Sequence, residues 1–430
     1  MATKARPRSA ALTALAVWLA AVVVLLMAEQ AAVVAAEPIK LGFSESLTGG
    51  LAVNGRQMLL TAQIWAADVN AKGGLLGRPV ELVYYDDQSN PGLVPAIYTK
   101  LLNVDNVDLL FASGTNISSA AMPTIVEHGK LIMDTLALAV NEHFNYPRFF
   151  QTMPYGPDGK EAISRGFFEA AMTMDPRPES IALLGADAEF PKSALEGAHR
   201  HARRLGLRIV HEARYPPATV DYAPIIRAIK AANADVVFVA SYPMDTAGIL
   251  RSVREIGLNA KLFGGAMVGL QYSGMKTQFG EQLNNLVGYE LYVHEPTMHF
   301  PGIDEFLEKY RLRAEQTGVD PLGYYVPPFT YATLDVLAQA VTAVRDLDPD
   351  KLANYIHSTT FKTLVGDITF GSDGEWAAPR ILTIQYRDIK GPTLKQFTEP
   401  GHQVILYPPE FKTGTRSRIR SPRQLADGSS

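Results

Sequence analysis

Residues 39–91, beginning IKLGFSESLTGGLAVNGRQMLL, most constrain what this chain can fold into, because they carry two different periodicities in immediate succession. A short apolar run, Ile39–Phe43, is followed by a glycine-rich turn. A helical stretch, Gln57–Asn70, then places Leu60, Ile64 and Ala67 on one stripe and stops at Gly73-Gly74. A second apolar run follows at Val80–Tyr85. Strand, helix and strand in that order form half of a nucleotide-binding-type α/β unit, which needs further βα units beside it to cover its sheet.

The segment before it sets the compartment. Lys4, Arg6 and Arg8 precede an apolar run from Ala10 to Met27, and Val34-Ala35-Ala36 offers a small-residue cleavage site, so residues 1–36 read as a secretory signal peptide. The run is roughly 18 residues, also long enough for an uncleaved anchor; cleavage after Ala36 and a periplasmic location are the expectation. The chain has no cysteine, which excludes disulfides, thiolate metal sites and cysteine nucleophiles. Without Lys4, Arg6, Arg8 and Glu29 the formal charge moves from −4 to −6, a poor match to nucleic acid. The remaining length of about 390 residues exceeds what one core usually supports, so two lobes are expected.

The first α/β series continues with strands at Val107–Ala112 and Leu131–Asp134. A second begins after Gln151–Pro157, with strands Ile181–Gly185, Arg208–Val210, Val236–Ala240 and Lys261–Gly264 and helices near Ser193–Arg204, Ala223–Ala232 and Thr246–Ile256. Helical patterns at Gly302–Thr317 and Tyr325–Val344 precede a β-like end, Gly366–Phe370 and Ile381–Tyr386, and a polar tail after Lys412 without apolar periodicity. His199 and His201 lie among Arg200, Arg203 and Arg204 and read as a solvated helix face, while Trp65 reads as core and Asp86-Asp87 as a strand-end turn.

Catalytic signatures are missing: there is no GxSxG elbow, HExxH or P-loop, and Gly73-Gly74-Leu75-Leu76-Gly77 lacks dinucleotide-loop spacing and follows a helix. No enzyme activity, cofactor or metal site is expected.

Leu47-Thr48-Gly49, Asn70-Ala71-Lys72-Gly73-Gly74 with Gly77, Asp86-Asp87 followed by Pro91, Gly114–Pro123 and Asp221-Tyr222 occur in the order found in one family. With them the chain resembles the type 1 periplasmic binding proteins of branched-chain-amino-acid-type ABC importers, over nearly its whole mature length. The resemblance implies an α/β fold of two Rossmann-like lobes, with parallel sheets flanked by helices, joined by three crossover segments. These would lie near Gln151–Pro154, Leu291–Val293 and Phe370–Gly374. It divides the chain into a signal peptide (1–36), lobe I (37–152 and 292–371), lobe II (153–291 and 372–411) and a disordered tail (412–430). Function follows as capture of a small polar organic ligand by cleft closure and delivery to an inner-membrane ABC permease and its ATPases. A sensor protein feeding a signalling receptor is the alternative, and a secreted hydrolase a third reading that lacks a nucleophile.

The resemblance also implies a ligand-binding set. Thr115 and Asn116 lie in the small-residue loop after Val107–Ala112, where Thr115 aligns with a carboxylate-binding hydroxyl, although Thr115 and Ser118 also suit a helix N-cap. Thr135 and Ala137 lie in the next strand-end loop, where Leu138 stands in place of a second hydroxyl. Phe190 and Tyr242 align with an aromatic clamp, Tyr325 with an aromatic on the lobe I side, and Asn54 with a position often aromatic. Ala266 replaces a glutamate that neutralises the ligand's ammonium in amino-acid-binding members. A buried ammonium without a charged partner costs several kcal/mol, so an ordinary amino acid should bind poorly unless another carboxylate takes over. Asp134, Asp187, Glu189 and Asp245 are the candidates; Asp134 could equally cap a helix. An amide, an aliphatic acid or an aromatic acid fits Ala266 and Leu138 more easily.

Overall fold

The computed structural model describes residues 37–416; the signal-peptide reading and most of the tail lie outside them. Alternating strands and helices build two sheets. The first holds β1 (Ile39–Glu45), β2 (Val80–Asp86), β3 (Leu109–Ser113), β4 (Ile132–Thr135) and β5 (Phe149–Gln151), ordered β2-β1-β3-β4-β5 and parallel throughout. The second holds β6 (Ser180–Ala186), β7 (Arg208–Tyr215), β8 (Val236–Ser241), β9 (Leu262–Met267) and β10 (Val287–Glu290). A small hairpin, β11 (Phe361–Thr363) and β12 (Gly366–Ile368), precedes β13 (Leu382–Tyr386) and β14 (Gln403–Tyr407), which pair antiparallel at the edge of the second sheet. That sheet is ordered β14-β13-β10-β9-β8-β6-β7.

The helices are α1 (Ala52–Ala71), α2 (Val94–Asn103), α3 (Thr115–Glu127), α4 (Asn141–Phe144), α5 (Gly159–Met172), α6 (Glu189–Leu205), α7 (Ala223–Ala232), α8 (Pro243–Ile256), α9 (Ser273–Phe279), α10 (Ile303–Thr317), α11 (Pro327–Val344) and α12 (Pro349–Ser358). Helices α10 and α11 return to pack on α1, so residues from the last third of the chain complete the first lobe. The path passes between the sheets three times, near 152–158, 291–302 and 369–381.

The central strands of the first sheet are covered on both faces, with Phe111, Met133 and Phe150 buried on one and Leu110, Ile132 and Phe149 on the other, which explains their near-continuous apolar runs. Four strands were not anticipated from the sequence: β5, β10, β11 and β14. β5, β10 and β11 are only three or four residues long, and β14 is a short apolar run bounded by Gln403 and Pro408. One surface assignment is corrected: His201 is 2% exposed, stacks on Phe168 and bonds the Glu161 carbonyl through Nε2 at 3.0 Å. The residue three positions after Ala198 turns with it onto the buried stripe of α6, a contact that the flanking arginines concealed.

Candidate functional site

Both sheets reverse strand order at a corresponding place: between β1 and β3 in the first, and between β6 and β8 in the second. At such switch points successive connections leave to opposite faces of the sheet, opening a crevice beyond the carboxyl ends of the strands. The two crevices face one another and enclose about 530 Å³ of empty space, open mouth included.

The first wall comes from the ends of β1 and β3. Glu45 closes β1 and Ser113 closes β3; the Ser113 hydroxyl donates to Glu45 Oε1 at 2.9 Å, and the Ser46 N–H reaches the same oxygen at 3.3 Å. The β1–α1 loop is pinned by the Asp86-Asp87 pair. Asp86 accepts from the Thr48 hydroxyl and the Leu47 N–H, while Asp87 accepts from the hydroxyls of Ser44 and Ser46 at 2.7 and 2.6 Å. Gly55 lets α1 press onto this loop, since a Cβ there would stand 2.0 Å from the Ser46 carbonyl oxygen. Gly114, at φ 83°, turns the chain into α3 in a conformation that favours glycine. The second wall is aromatic: Phe190 from the start of α6 and Tyr242 before α8, with ring centroids 6.0 Å apart.

Asn116 joins the walls. Its Oδ1 accepts the Tyr242 hydroxyl at 3.0 Å and the Phe190 N–H at 3.4 Å. Tyr325, just before α11, adds a second bridge, its hydroxyl 2.6 Å from that of Tyr289 on β10. The two lobes therefore stand closed on each other.

Of the residues expected from sequence, Asn54, Thr115, Asn116, Phe190, Tyr242 and Tyr325 line this cavity; Thr135, Ala137 and Ala266 do not. Thr135 is wholly buried and spends its hydroxyl on Thr333 of α11 at 2.8 Å. Ala137 has both backbone groups taken by the Gln151 side chain, at 3.1 and 2.9 Å. Ala266 is fully buried within β9, opposite Ala240 of β8. The role expected of the Thr115 hydroxyl also changes: it donates to the Leu136 carbonyl at 2.9 Å and accepts the Leu138 N–H at 3.1 Å, tying two loops together.

The four replacement carboxylates are occupied elsewhere or lie outside the cavity lining. Asp187 is exposed beside Lys192, and Glu189 is exposed at the start of α6. Asp245 accepts from the hydroxyls of Tyr215 and Tyr222 and from the Tyr242 N–H. Asp134 is buried at the end of β4, away from the lining, and burial pushes its carboxyl up to about 8 against the opposing influence of Ser118 and the Thr135 backbone. Sequence reasoning missed Glu45, which is 3% exposed and lines the cavity, with Oε2 unpartnered. Burial raises its carboxyl well above the usual range, and repulsion from Asp87 and Asp134 adds to this, against the lowering effect of Ser113 and the Ser46 N–H. The available signal was its place at the carboxyl end of the first strand; ending β1 at Phe43 moved it into a turn.

A family model described as periplasmic binding protein matches residues 38–383. The Leucine-, isoleucine-, valine-, threonine-, and alanine-binding protein of Pseudomonas aeruginosa is 24% identical over 345 residues, 79% of this chain and 88% of that relative. Two solved structures share the fold. A branched-chain amino acid transporter substrate binding protein from Streptococcus pneumoniae, in complex with isoleucine, superposes with TM-score 0.68 at 16% identity, covering 82% of this chain and 97% of the other. An ABC transporter solute binding protein from R. palustris, in complex with benzoate, gives 0.71 at 15% identity, covering 86% and 95%.

Proposed function

This chain belongs to the periplasmic binding protein family, and from that premise we propose that it is the periplasmic substrate-binding component of an ABC importer. It captures a small polar organic ligand between its lobes and presents the closed form to an inner-membrane permease and its ATPases. The observation that carries this reading is the opposition of two switch-point crevices across one cavity, bridged by Asn116 and Tyr242. Thr115, Asn116, Asn54, Phe190, Tyr242 and Tyr325 are its ligand-facing residues. The start of α3 offers backbone N–H groups to a ligand carboxylate, and the aromatic wall offers stiff contact surface to its apolar part. Relatives and fold neighbours that are binding proteins for amino acids or an aromatic carboxylate favour import over sensing. The protein carries out no reaction of its own, and its export rests on a cleaved signal at 1–36, with lobe boundaries near 152, 291 and 371.

A ligand that binds only the folded form raises the melting temperature by mass action. A thermal-shift panel of amino acids, amides and aliphatic and aromatic acids should give at least one saturable shift, abolished by Tyr242→Ala. Shifts that survive Tyr242→Ala would place binding outside the cleft.

A further inference from the structure

The cavity contains one feature that the family resemblance did not lead to. Its lining includes a single carboxyl, Glu45, and no lysine, arginine or histidine. One oxygen of that carboxyl takes both available donors, the Ser113 hydroxyl and the Ser46 N–H. The other, Oε2, is buried and lacks a partner, and Glu45 is one of the residues lining the cavity. Asn54 Oδ1, in the same lining, is likewise unpartnered. Two unpartnered oxygens and no basic group describe a wall that carries no positive charge of its own. Burying a polar group without a partner costs free energy, and a ligand that supplies the donor recovers it.

We infer that Glu45 receives a positively charged nitrogen of the ligand, so that the cargo is a small zwitterion or cation bearing an ammonium group. The inference rests on the cavity being the ligand site. It answers the loss of the glutamate at Ala266: the compensating carboxylate comes from the opposite lobe, at the end of β1, so the ammonium lies on the first wall. With a carboxylate at the start of α3 and an apolar part against Phe190 and Tyr242, an amino acid or a close analogue fills all three environments. A carboxylate without an amine would meet Glu45 with no counter-charge and would require it to be protonated.

The groups electrostatically coupled to Glu45 are Asp87, Asp134 and Tyr98. Asp87 is held by the two serine hydroxyls and the Ser89 N–H, and neither it nor Asp134 lines the cavity. Both acids disfavour ionisation of Glu45 in the empty cleft, whereas a ligand cation favours it. Binding of an ammonium ligand should therefore release a proton and tighten as pH rises, for as long as the ligand nitrogen stays charged. Binding of a simple carboxylate should tighten as pH falls.

The test is calorimetry and thermal shift on the full mature chain. Its probes are α-amino acids, each paired with the carboxylic acid lacking only the amine and the amine lacking only the carboxylate. The expected result is that at least one amino acid binds at least tenfold more tightly than its deaminated partner. Glu45→Gln should weaken that amino acid at least tenfold with an unchanged or higher melting temperature, and Glu45→Asp should retain the pH trend at reduced affinity. The inference is overturned if no amine-bearing probe binds. It is also overturned if deaminated acids bind as tightly with affinity rising toward low pH, or if Tyr242→Ala abolishes binding while Glu45→Gln leaves it unchanged. Binding indifferent to both substitutions would instead overturn the assignment of the cavity as the ligand site.

Discussion

Two buried carboxyls flank the cleft from opposite lobes, and they differ in how completely they are satisfied. Asp245 has both oxygens engaged, Oδ1 by Tyr222 and Oδ2 by Tyr215 and the Tyr242 N–H. Glu45, which lines the cavity, has one oxygen engaged and the other buried without a partner. A carboxyl whose acceptors are filled by its own protein is part of the scaffold, and here it fixes the backbone that carries Tyr242. A carboxyl left half-filled at a switch point is available to a ligand. Burial raises the pKa of both, so desolvation alone does not distinguish them; the count of internal donors does.

Breaking the filled carboxyl should have the largest effect. Asp245→Ala leaves the Tyr215 hydroxyl and the Tyr242 N–H without their acceptor, while Tyr222 keeps the Thr219 carbonyl, and should cost about 3 kcal/mol in urea unfolding. The isosteric Glu45→Gln should cost nothing measurable in the same assay. Equal losses for the two would remove the distinction between scaffold and recognition carboxyl.

Asp134 sharpens the comparison through pH. Its folded carboxyl titrates at about 8, against about 3.9 in an unfolded chain. The folded state therefore holds the proton more tightly: this group costs nothing below pH 4, and stability falls as pH rises from 4 to 8. Above 8 the cost levels off. Asp134→Asn should consequently gain on the wild type steadily across that window, as chemical denaturation at fixed pH values would show. A constant difference would mean that the carboxyl is ionised throughout.

The smallest effect concerns the bridge between the walls. Asn116→Ala removes the acceptor of the Tyr242 hydroxyl, worth about 1 kcal/mol to the closed form. Small-angle scattering of the ligand-free protein should shift toward a larger radius of gyration, and Tyr242→Phe should produce the same shift without adding to it in the double variant. Additive shifts would indicate that the residues act separately.

The fold was legible because it depends on local pattern. Fully covered strands need unbroken apolar runs, and the helices between them need a stripe and a stop, so Ile39–Phe43 and Gln57–Asn70 mark β1 and α1 within a few residues of their ends. Strands as short as Phe149–Gln151 carry too little pattern to be seen. The site was only partly legible. Asn54, Thr115, Asn116, Phe190 and Tyr242 sit in loops or at helix starts beyond strand ends, a position that sequence order reveals, while Tyr325 lies between α10 and α11. Thr135 and Ala137 occupy the same kind of position and were consumed by Thr333 and Gln151, partners 198 and 14 residues away.

By itself the sequence determined the α/β architecture, the net acidity and the family, since periodicity, charge and ordered short motifs are properties of the chain in one dimension. Tertiary structure alone decided which polar groups remain free to bind. Thr115 and Glu45 both lie at the carboxyl edge of the first sheet, yet the hydroxyl is satisfied by two backbone groups and the carboxyl keeps an open oxygen. Hydrogen-bond satisfaction depends on which atoms lie within about 3 Å after folding, and residue spacing along the chain does not fix that distance.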